Sequence, residues 1–579
     1  MLQSQHDVEG RMVRCLGCQA VFEARARTVA FMQPVPVPPP LPPSRMSQAK
    51  LRELLKLDHN LLGGILFGLD GYQIKLEARA MEILREPCPV AHATSITGMP
   101  RECVREALSR IAGAFAKLSV PDTMVSILIN LTPPDIPKDG TWLDLPLAII
   151  MLQASGLLPD LPSHREDDFI IVGELGLHAE VRRVAGILSI AHSAKPGQQL
   201  IVPSGNEKEC ALILAKPGHE GCRVFPVSTL DQVVAYFLGS GKLQNALKNG
   251  MQFEDYIPKA PDFGQIRGQQ RAKDAACIAA AGGHNLLLVG PPGEGKSLIA
   301  TAMPGILPRL TNDEKVELTR IYSAQGALDK DGVAVTRRPV RNVHHTASKQ
   351  SLIGGGSGIP RPGEITLAHL GVLFLDELAE FSRSTLEALR QPIEAGEIVV
   401  SRVNASFKYP CRFTLLAAMN PCPCGYFGTE MCRCKSAEVK KYQKKLSGPI
   451  LDRIDLQVEL QRLTTDERFA KQEENLSAKM RASVEAARDS QIRRFKGTGI
   501  PFNAAIPGGS VFDFCKFSPD ALARFKHLVH TNTLSTRSMD RLAKVARTVA
   551  DLAAADEIQS THVDSASSFV IGGLLREAF

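Results

Sequence analysis

The residues with the clearest chemistry form the loop GPPGEGKS at 290–297. The loop fits G-x-x-x-x-G-K-S, and it lies between an apolar run, NLLLVG, and a run typical of a helix, SLIATAM. In such a loop the backbone amides surround phosphate oxygens, the lysine neutralises the β and γ phosphates, and the serine hydroxyl holds Mg²⁺ at a helix N-terminus. The spacing therefore predicts a site for ATP and Mg²⁺ formed by Gly290, Pro291, Pro292, Gly293, Glu294, Gly295, Lys296 and Ser297.

Two further apolar runs end in polar side chains. GVLFLDEL at 371–378 carries Asp376 and Glu377, and FTLLAAMN at 413–420 ends in Asn420. Because the carboxyl ends of parallel strands meet at one edge of a sheet, we expect these side chains to converge on the phosphate loop. Asp376 would then complete the magnesium site, Glu377 would polarise the attacking water, and Asn420 would orient that water. The pattern predicts ATP hydrolysis.

Length and composition indicate a multidomain globular protein. The chain has 579 residues, which suggests about three folding units. Its hydrophobic content of 44% and charged content of 22% argue against a disordered or fibrous chain. The balance of 68 Lys and Arg against 61 Asp and Glu, a net charge of +7, permits nucleic-acid binding without demonstrating it.

Neither a membrane span nor a secretory signal is expected. The longest apolar run, at 143–158, is broken by Asp144 and Gln153, and it is shorter than the about 18 residues that a span needs. The N-terminus carries acidic residues where a signal would need a basic start and an apolar run. We expect a cytoplasmic protein.

The elements that must position these residues fall into consecutive parts. A proline-rich spacer, PVPVPPPLPP at 34–43, marks a flexible N-terminal extension, and Met46 after it is a second candidate start codon. Alternating β-rich and helical runs predict α/β domains on both sides of a linker, and the last part is helical. The predicted divisions are 1–62 (extension), 63–240 (first α/β domain), 241–262 (linker), 263–460 (α/β core with the phosphate loop) and 461–579 (α-helical lid).

Cysteine spacing predicts a metal site beside Asn420. Thiols recur as C-x-C-x₇-C-x-C within thirteen residues, a concentration that suits tetrahedral Zn²⁺, although free thiols in a loop are the alternative. Structural zinc there would brace the loop without taking part in catalysis. The residues are Cys422, Cys424, Cys432 and Cys434. The pair Cys15 and Cys18 resembles half a zinc knuckle, with an adventitious pair in a flexible tail as the alternative.

Basic residues mark a candidate surface for a polyanion. No acidic residue occurs between Asp331 and Glu364. That interval carries Arg337, Arg338, Arg341, Lys349 and Arg361, and a following hairpin sequence adds Arg402 and Lys408. We expect DNA to contact Lys349, Arg361, Arg402 and Lys408. A solvated basic face is the alternative.

Several stretches together resemble one family. GPPGEGKS, GVLFLDEL, AAMNPCPCG, LSGPILDRID and VARTVADL are similar to the magnesium-chelatase-like AAA+ ATPases, specifically the ComM/YifB family of bacterial competence-related proteins. HHTAS, GGGSGIPRPGEITLAH and LTPPDIPKDG also resemble that family's characteristic stretches. The resemblance covers about residues 63–579.

The resemblance implies a ring-forming motor. It implies a Lon-protease-like first domain (ribosomal S5 domain 2-like), a P-loop AAA+ core with a parallel sheet, and a C-terminal helical lid. In the family, Arg453 would be the arginine finger that reaches a neighbouring subunit's nucleotide, and Arg537 the sensor-2 arginine of the lid. Such geometry implies a homo-hexameric ring, with the basic segments directed at its pore.

The first domain lacks the residues of a Lon-type protease. After PKDG at 137–140 the chain has Thr141, Trp142 and Leu143 instead of a serine nucleophile, and Leu188 stands at the position of the lysine. A binding or ring-assembly role is therefore expected.

Three activities fit these observations. The leading one is an ATP-driven DNA translocase or branch-migration helicase of recombination or transformation. A protein unfoldase is the runner-up, but such rings usually present an aromatic residue in the pore, and 344–370 contains no Phe, Tyr or Trp. A metal-chelatase subunit fits the ATPase core but does not explain the first domain.

Overall fold

The computed structural model describes residues 12–14, 21–23, 46–160, 168–247, 260–328, 334–355, 360–402, 405–446, 448–469 and 471–571. Cys15, Cys18 and the proline-rich spacer lie outside these residues. Near the N-terminus, β1 (Met12–Arg14) and β2 (Val21–Glu23) pair antiparallel. Within the described residues, no helix is both long and apolar enough to cross a bilayer.

The first α/β unit alternates strands with helices. Its elements are α1 (Gln48–Leu54), β3 (Asp58–Phe67), β4 (Asp70–Cys88), β5 (Thr94–Thr97), α2 (Glu102–Lys117), β6 (Thr123–Thr132), α3 (Asp144–Ala154), β7 (Phe169–Ile171), β8 (Glu174–Leu175), β9 (Val181–Arg182), α4 (Ile187–His192), β10 (Gln199–Pro203), α5 (Glu207–Leu214), β11 (Arg223–Val227) and α6 (Leu230–Phe237).

A mixed sheet forms the centre of this unit. Its described strands have the order β11-β10-β7-β3-β4-β6-β5. In β6 the side chains alternate between buried and half-buried, the period-two pattern of a strand with one face in a core. The apolar residues of α2, Val104, Ala107, Ile111 and Ala114, recur every three or four positions and pack on that core. Helices α4 and α5 cover the other face.

This unit begins earlier than the boundary at residue 63 that the sequence suggested. Helix α1 and the first half of β3 contribute Leu51, Leu54 and Leu61 to the core, so residues 48–62 belong to the unit. Part of the expected linker also packs on it, because the amide of Ala246 donates to the carbonyl oxygen of Val224 at 2.8 Å. Both boundaries differ from the predicted ones because these segments carry apolar side chains that are buried in the core of the unit or packed against it.

The second α/β unit carries the phosphate loop. Its elements are α7 (Gln270–Gly282), β12 (Leu286–Val289), α8 (Lys296–Ala302), α9 (Asn312–Ala324), β13 (Val340–Val343), α10 (Lys349–Ile353), β14 (Gly354–Gly355), β15 (Arg361–Pro362), α11 (Glu364–Leu367), β16 (Val372–Leu375), α12 (Arg383–Glu387), α13 (Arg390–Ala395), β17 (Glu397–Arg402), β18 (Ala405–Pro410), β19 (Thr414–Met419), α14 (Ser436–Gln443), α15 (Gly448–Leu451) and β20 (Leu456–Glu459).

Parallel strands build the sheet of this unit, as the sequence predicts. The described strands have the order β13-β16-β19-β12-β20, and each neighbouring pair is parallel. Strands β12 and β16 are buried along their whole length, which fits continuous apolar runs covered on both faces. The ends that lead to the phosphate loop, Asp376 and Asn420 therefore share one edge.

Helices make up the C-terminal part. They are α16 (Thr465–Phe469), α17 (Leu476–Arg494), α18 (Val511–Phe514), α19 (Pro519–Thr531), α20 (Thr536–Leu552) and α21 (Ser560–Val570). Apolar residues of α20, including Leu542, Val545 and Ala546, share a core with Leu286 and Leu288 of β12. The C-terminal helices thus share a core with the strand that precedes the phosphate loop, and they pack mainly on α7 and β20.

The first unit packs against the second at the turn between β3 and β4. The rings of Phe67 and Phe407, on β18, lie 4.8 Å apart. Arg320 of α9 donates from Nε to the carbonyl oxygen of Leu69 at 2.9 Å and pairs with Asp70. The hairpin of β17 and β18 is therefore supported by the first unit.

Candidate functional site

The phosphate loop forms an open cradle between β12 and α8. Gly293 and Gly295 have φ angles of 83° and 94°, in the left-handed region that favours glycine. A Cβ atom added to either would meet no atom within 4 Å. The space beside the loop is thus free for a phosphate group, and side chains at these positions would strain the backbone.

Lys296 connects the loop to the neighbouring strand end. Its ammonium group donates to the carbonyl oxygens of Gly290 at 2.6 Å and Pro291 at 2.8 Å, and to Oδ1 of Asn420 at 3.1 Å. Burial lowers the pKa of the Lys296 ammonium below its ordinary value, while the charges of Asp376 and Glu294 oppose this. Nearby anionic oxygens would stabilise its charged form, so the residue suits phosphate binding.

Ser297 and Asp376 supply oxygen ligands of the kind that Mg²⁺ prefers. The Ser297 hydroxyl donates to Oδ2 of Asp376 at 2.9 Å, and the amide of Glu377 donates to Oδ1 of Asp376 at 2.9 Å. The carboxylate is thereby oriented towards the first turn of α8. A hydroxyl and a carboxylate at this position fit a hard divalent cation bound beside phosphates.

Glu377 follows β16 with a φ angle of 51°, a left-handed conformation that is uncommon for a side chain other than glycine. Its Oε2 lies 2.9 Å from Nδ1 of His345, which comes just after β13 at the same sheet edge. From the sequence, HHTAS was expected only to resemble a family stretch, without a chemical role. Strand β13 has the sequence VRNV, so it lacks the continuous apolar run that identified Asp376 and Glu377. The only local signal for His345 was the polar pair His344 and His345 in HHTAS.

The backbone of Glu294 is part of the phosphate loop, but its side chain points away from the phosphate position. Its carboxylate accepts from the amide of Leu463 at 3.3 Å and lies 3.6 Å from the guanidinium of Arg468. These contacts connect the loop to the segment after β20. The side chain of Glu294 therefore faces the C-terminal part rather than serving as a phosphate ligand.

The two arginines that the resemblance singles out meet at one carboxylate. Arg453, which follows α15, pairs with Oε1 of Glu394, and Nη2 of Arg537 lies 3.5 Å from the same oxygen. Glu394 is on α13 and is half exposed, whereas the Arg453 side chain is only 9% exposed. The fold thus brings Arg453 and Arg537 onto one face of the subunit.

The predicted cysteine cluster assembles. The four Sγ atoms of Cys422, Cys424, Cys432 and Cys434 lie within 4.8 Å of one another. The separations are 3.4 Å for Cys422–Cys424, 3.7 Å for Cys424–Cys432 and 4.0 Å for Cys422–Cys432. Backbone amides of Arg433 and Tyr426 lower the pKa of the Cys424 thiol to about 6. The cluster begins two residues after Asn420.

The predicted DNA residues lie on two adjoining segments. Lys349 is the first residue of α10, and Arg361 lies on β15; both are exposed. On the hairpin, Nζ of Lys408 lies 2.6 Å from Oε2 of Glu397. Arg402 ends β17, and its side chain lies outside the described residues. The Tyr409 hydroxyl donates to the carbonyl oxygen of Pro360 at 2.5 Å, which joins the segments.

Two other arginines of the basic interval are engaged inside the fold. Arg338 pairs with Glu314 of α9 at 2.9 Å and donates to neighbouring carbonyl oxygens. Arg341 pairs with Glu364 at 2.7 Å. Because these side chains are only 13% and 36% exposed and are paired with carboxylates from before and after the run, they do not present free charge as the run suggests. Lys408 differs, since its side chain is 65% exposed although it pairs with Glu397.

The positions of the missing protease dyad have other contacts. The Thr141 hydroxyl donates to Oε2 of Glu174 at 2.6 Å, and Nε1 of Trp142 donates to the carbonyl oxygen of Ala185 at 2.7 Å. Leu143 and Leu188 are buried in the cores on opposite faces of the first sheet.

Comparisons with protein families agree with the fold. Residues 262–468 match "Magnesium chelatase, subunit ChlI", and residues 474–569 match "Magnesium chelatase, subunit ChlI C-terminal". Residues 89–206 match "Subunit ChlI of Mg-chelatase". The matches therefore include the phosphate loop, both following strand ends and the cysteine cluster.

Relatives extend the likeness to most of the chain. YifB of Escherichia coli is 40% identical over 481 residues, which are 82% of this chain and 91% of that protein. Competence protein ComM of Haemophilus influenzae is 37% identical over 487 residues, again 82% and 91%. The magnesium-chelatase 38 kDa subunit of Rhodobacter capsulatus is 27% identical over 177 residues, 28% of this chain and 50% of that one. With such identity over most of both chains, the protein belongs to the magnesium-chelatase-like ComM/YifB family of AAA+-type ATPases.

Proposed function

We propose that the protein is an ATP-hydrolysing AAA+ ring motor that translocates along DNA or drives branch migration. The observation that carries the proposal is the meeting of Lys296, Ser297, Asp376, Glu377 and Asn420 at one edge of a parallel sheet. A P-loop with this set of side chains has the groups that phosphoryl transfer to water requires. The competence protein among the relatives is consistent with a role in recombination or transformation.

Each residue of this edge has a distinct task in the proposed reaction. The phosphate loop and Lys296 would bind the β and γ phosphates, and Ser297 and Asp376 would hold Mg²⁺, which would supply charge neutralisation there. Glu377 accepts the proton of the attacking water, and Asn420 orients that water. Nδ1 of His345 lies 2.9 Å from the Glu377 carboxylate, and a protonated imidazole would position that carboxylate.

A ring follows from the proposed use of Arg453 and Arg537. Both arginines share Glu394 on a face of the subunit, and a neighbouring subunit that docks there would present its nucleotide to them. An arginine supplied in this way stabilises the negative charge of a transition state. We propose a homo-hexamer in the cytoplasm, in which the C-terminal helices act as a lid over the phosphate loop and the first unit is a Lon-like assembly module.

Burial of the hairpin aromatics favours DNA over an unfolded protein as the substrate. Phe407 packs on Phe67, and Tyr409 is fully buried. A pore that grips polypeptide needs an exposed ring, which these residues do not offer. The adjoining segment instead exposes Lys349 and Arg361. Exposed cations of this kind bind phosphates without reading bases.

The DNA proposal is tested by replacing Lys349, Arg361, Arg402 and Lys408 together with alanine. Affinity of the wild-type ring for duplex DNA should fall with salt at a slope of about −0.9 per neutralised phosphate. The fourfold variant should show a flatter slope and should lose DNA stimulation of ATP hydrolysis. Its basal hydrolysis should survive, because these residues lie outside the nucleotide site. Fluorescence anisotropy at several salt concentrations measures the slope.

A matched control carries four alanines at exposed lysines elsewhere, Lys50, Lys479, Lys496 and Lys526. It removes the same number of positive charges and should leave affinity and slope nearly unchanged. If the pore variant forms rings yet binds DNA with the wild-type affinity and slope, the basic segments are only a solvated face. Stimulation by an unfolded protein instead of DNA would favour the unfoldase alternative.

No peptidase activity is expected from the first unit. Thr141 follows PKDG, where the protease carries its serine nucleophile. Leu188 stands where the protease carries its lysine, and a leucine side chain cannot accept a proton, so the general base is missing. Incubation of pure protein with unfolded casein, with and without ATP, should give no fragments. Cleavage that disappears on substitution within 131–190 would contradict this prediction.

A further inference from the structure

We propose that the cluster Cys422, Cys424, Cys432 and Cys434 binds one Zn²⁺ ion, and that the zinc-bound loop forms a wall of the nucleotide site by packing on Pro292 of the phosphate loop. The first half depends only on the cysteines. The second half rests on the proposed ATP binding. Loss of the metal would therefore weaken nucleotide binding indirectly, although none of the four cysteines contacts phosphate.

The separations of the sulfur atoms match a tetrahedral zinc site. Four thiolates at the usual Zn–S distance of about 2.3 Å lie about 3.8 Å from one another. The three separations among Cys422, Cys424 and Cys432, 3.4, 3.7 and 4.0 Å, fall around that value, and the Cys434 sulfur lies within 4.8 Å of the other three. They are far longer than a disulfide bond of about 2.05 Å, so the thiols surround a centre instead of bonding to each other.

The surroundings of the cluster suit the charge of such a site. Four thiolates around Zn²⁺ carry a net charge of 2 − 4 = −2. Arg433 lies between two of the cysteines, and Lys435 directly follows the last. A positive charge close to a thiolate stabilises it, and these two cations lie in the same loop as the thiols. Cys422 is fully buried and the other three are half-buried, so the metal would be shielded on one side and reachable from the other.

The cluster is connected to the phosphate loop by direct contact. A Cβ atom added to Gly425 would lie 2.7 Å from Cδ of Pro292 and 3.8 Å from Cγ of Asn420. Asn420 in turn accepts from Lys296 at 3.1 Å. The backbone of Gly425 therefore touches the phosphate loop and the strand end that would orient water. A metal bound by Cys422 and Cys424 would hold the loop at Gly425 rigidly against Pro292.

Metal content tests the first half of the proposal. The full-length protein, purified with added ZnCl₂ and desalted, should hold one zinc ion per chain by mass spectrometry. Cys434→Ser should lose most of it, whereas Cys277→Ser, which alters a cysteine outside the cluster, should keep it. Co²⁺ in place of zinc should give the thiolate-to-metal absorption of a tetrahedral site. Wild-type protein without bound zinc or cobalt would overturn the site.

Two glycines offer a matched test of the second half. Gly425 and Gly428 both have a φ angle of 84°, but a Cβ atom at Gly428 would meet nothing within 4 Å. Both alanine variants carry the same backbone strain, and only Gly425→Ala pushes on Pro292. Gly425→Ala should bind ADP about tenfold more weakly with zinc retained, and Gly428→Ala should bind it as the wild type does. Equal ADP affinities in the two variants would overturn the coupling.

Chelation provides a measurement that needs no substitution. Removing zinc from the wild-type protein with a thiol-compatible chelator should weaken ADP binding by a similar factor, and added Zn²⁺ should restore it. If ADP affinity is indifferent to zinc, the wall has no role at the nucleotide site. If the wild type binds zinc but no ADP under any condition, the proposed ATPase fails while the metal site stands.

Discussion

Replacement of Arg453 by alanine is expected to lower ATP turnover roughly 10³-fold or more while each subunit still binds ATP. The physical reason is that its guanidinium would stabilise the charge that develops on a neighbouring subunit's phosphates, a contribution made in the transition state and absent from the ground state. Turnover and nucleotide affinity, measured separately on assembled protein, distinguish this loss from a failure to bind. Arg524→Ala, which removes an exposed arginine paired with Asp564, is the control.

Mixing of variants tests whether Arg453 acts between subunits. A Lys296→Ala subunit is inactive at its own site, but it retains Arg453 and can lend it to a neighbour. Rings assembled from Lys296→Ala and Arg453→Ala subunits should therefore recover part of the wild-type turnover. Mixed rings without recovery would argue that Arg453 works within its own subunit, or that its pair with Glu394 is purely structural.

Lys296→Ala is expected to abolish nucleotide binding or turnover. The ammonium group is the cation that connects the phosphate loop to Asn420, and no other side chain of the loop carries a positive charge. Its loss removes one charge-neutralising contact to the β and γ phosphates. Binding of a fluorescent ADP analogue and release of phosphate measure the two effects. Lys479→Ala, at an exposed lysine that pairs with Glu473, should change neither.

Glu377→Gln should separate binding from hydrolysis. Glutamine keeps the size of the side chain but cannot accept the proton of the attacking water. The variant should bind ATP as tightly as the wild type and hydrolyse it at a small fraction of the wild-type rate. Hydrolysis at the wild-type rate would assign water activation to another residue.

Features written in contiguous residues were predictable from the sequence. The phosphate loop is such a feature, because its chemistry needs glycines, a lysine and a serine at fixed spacing directly after a strand. Apolar runs ending in Asp376 and Asn420 predicted parallel strands with a shared edge, and β12, β16 and β19 form that edge. The cysteine spacing likewise brought four thiols within 4.8 Å of one another.

Contacts between distant residues depended on the tertiary structure. A run of arginines without acidic neighbours looked like one basic surface, yet Glu314 and Glu364 neutralise Arg338 and Arg341. Charge counted along a chain does not reveal which carboxylate a fold will bring near, because ion pairs act through space over a few ångströms.

The same reason explains the remaining surprises. His345 reaches Glu377 because β13 and β16 are neighbours in the sheet, although 31 residues separate the two in the chain. Glu394 joins Arg453 to Arg537 across three separate elements, and Gly425 touches Pro292 across two. Local sequence specifies each strand and loop, whereas only the packing of those elements specifies which side chains share a site.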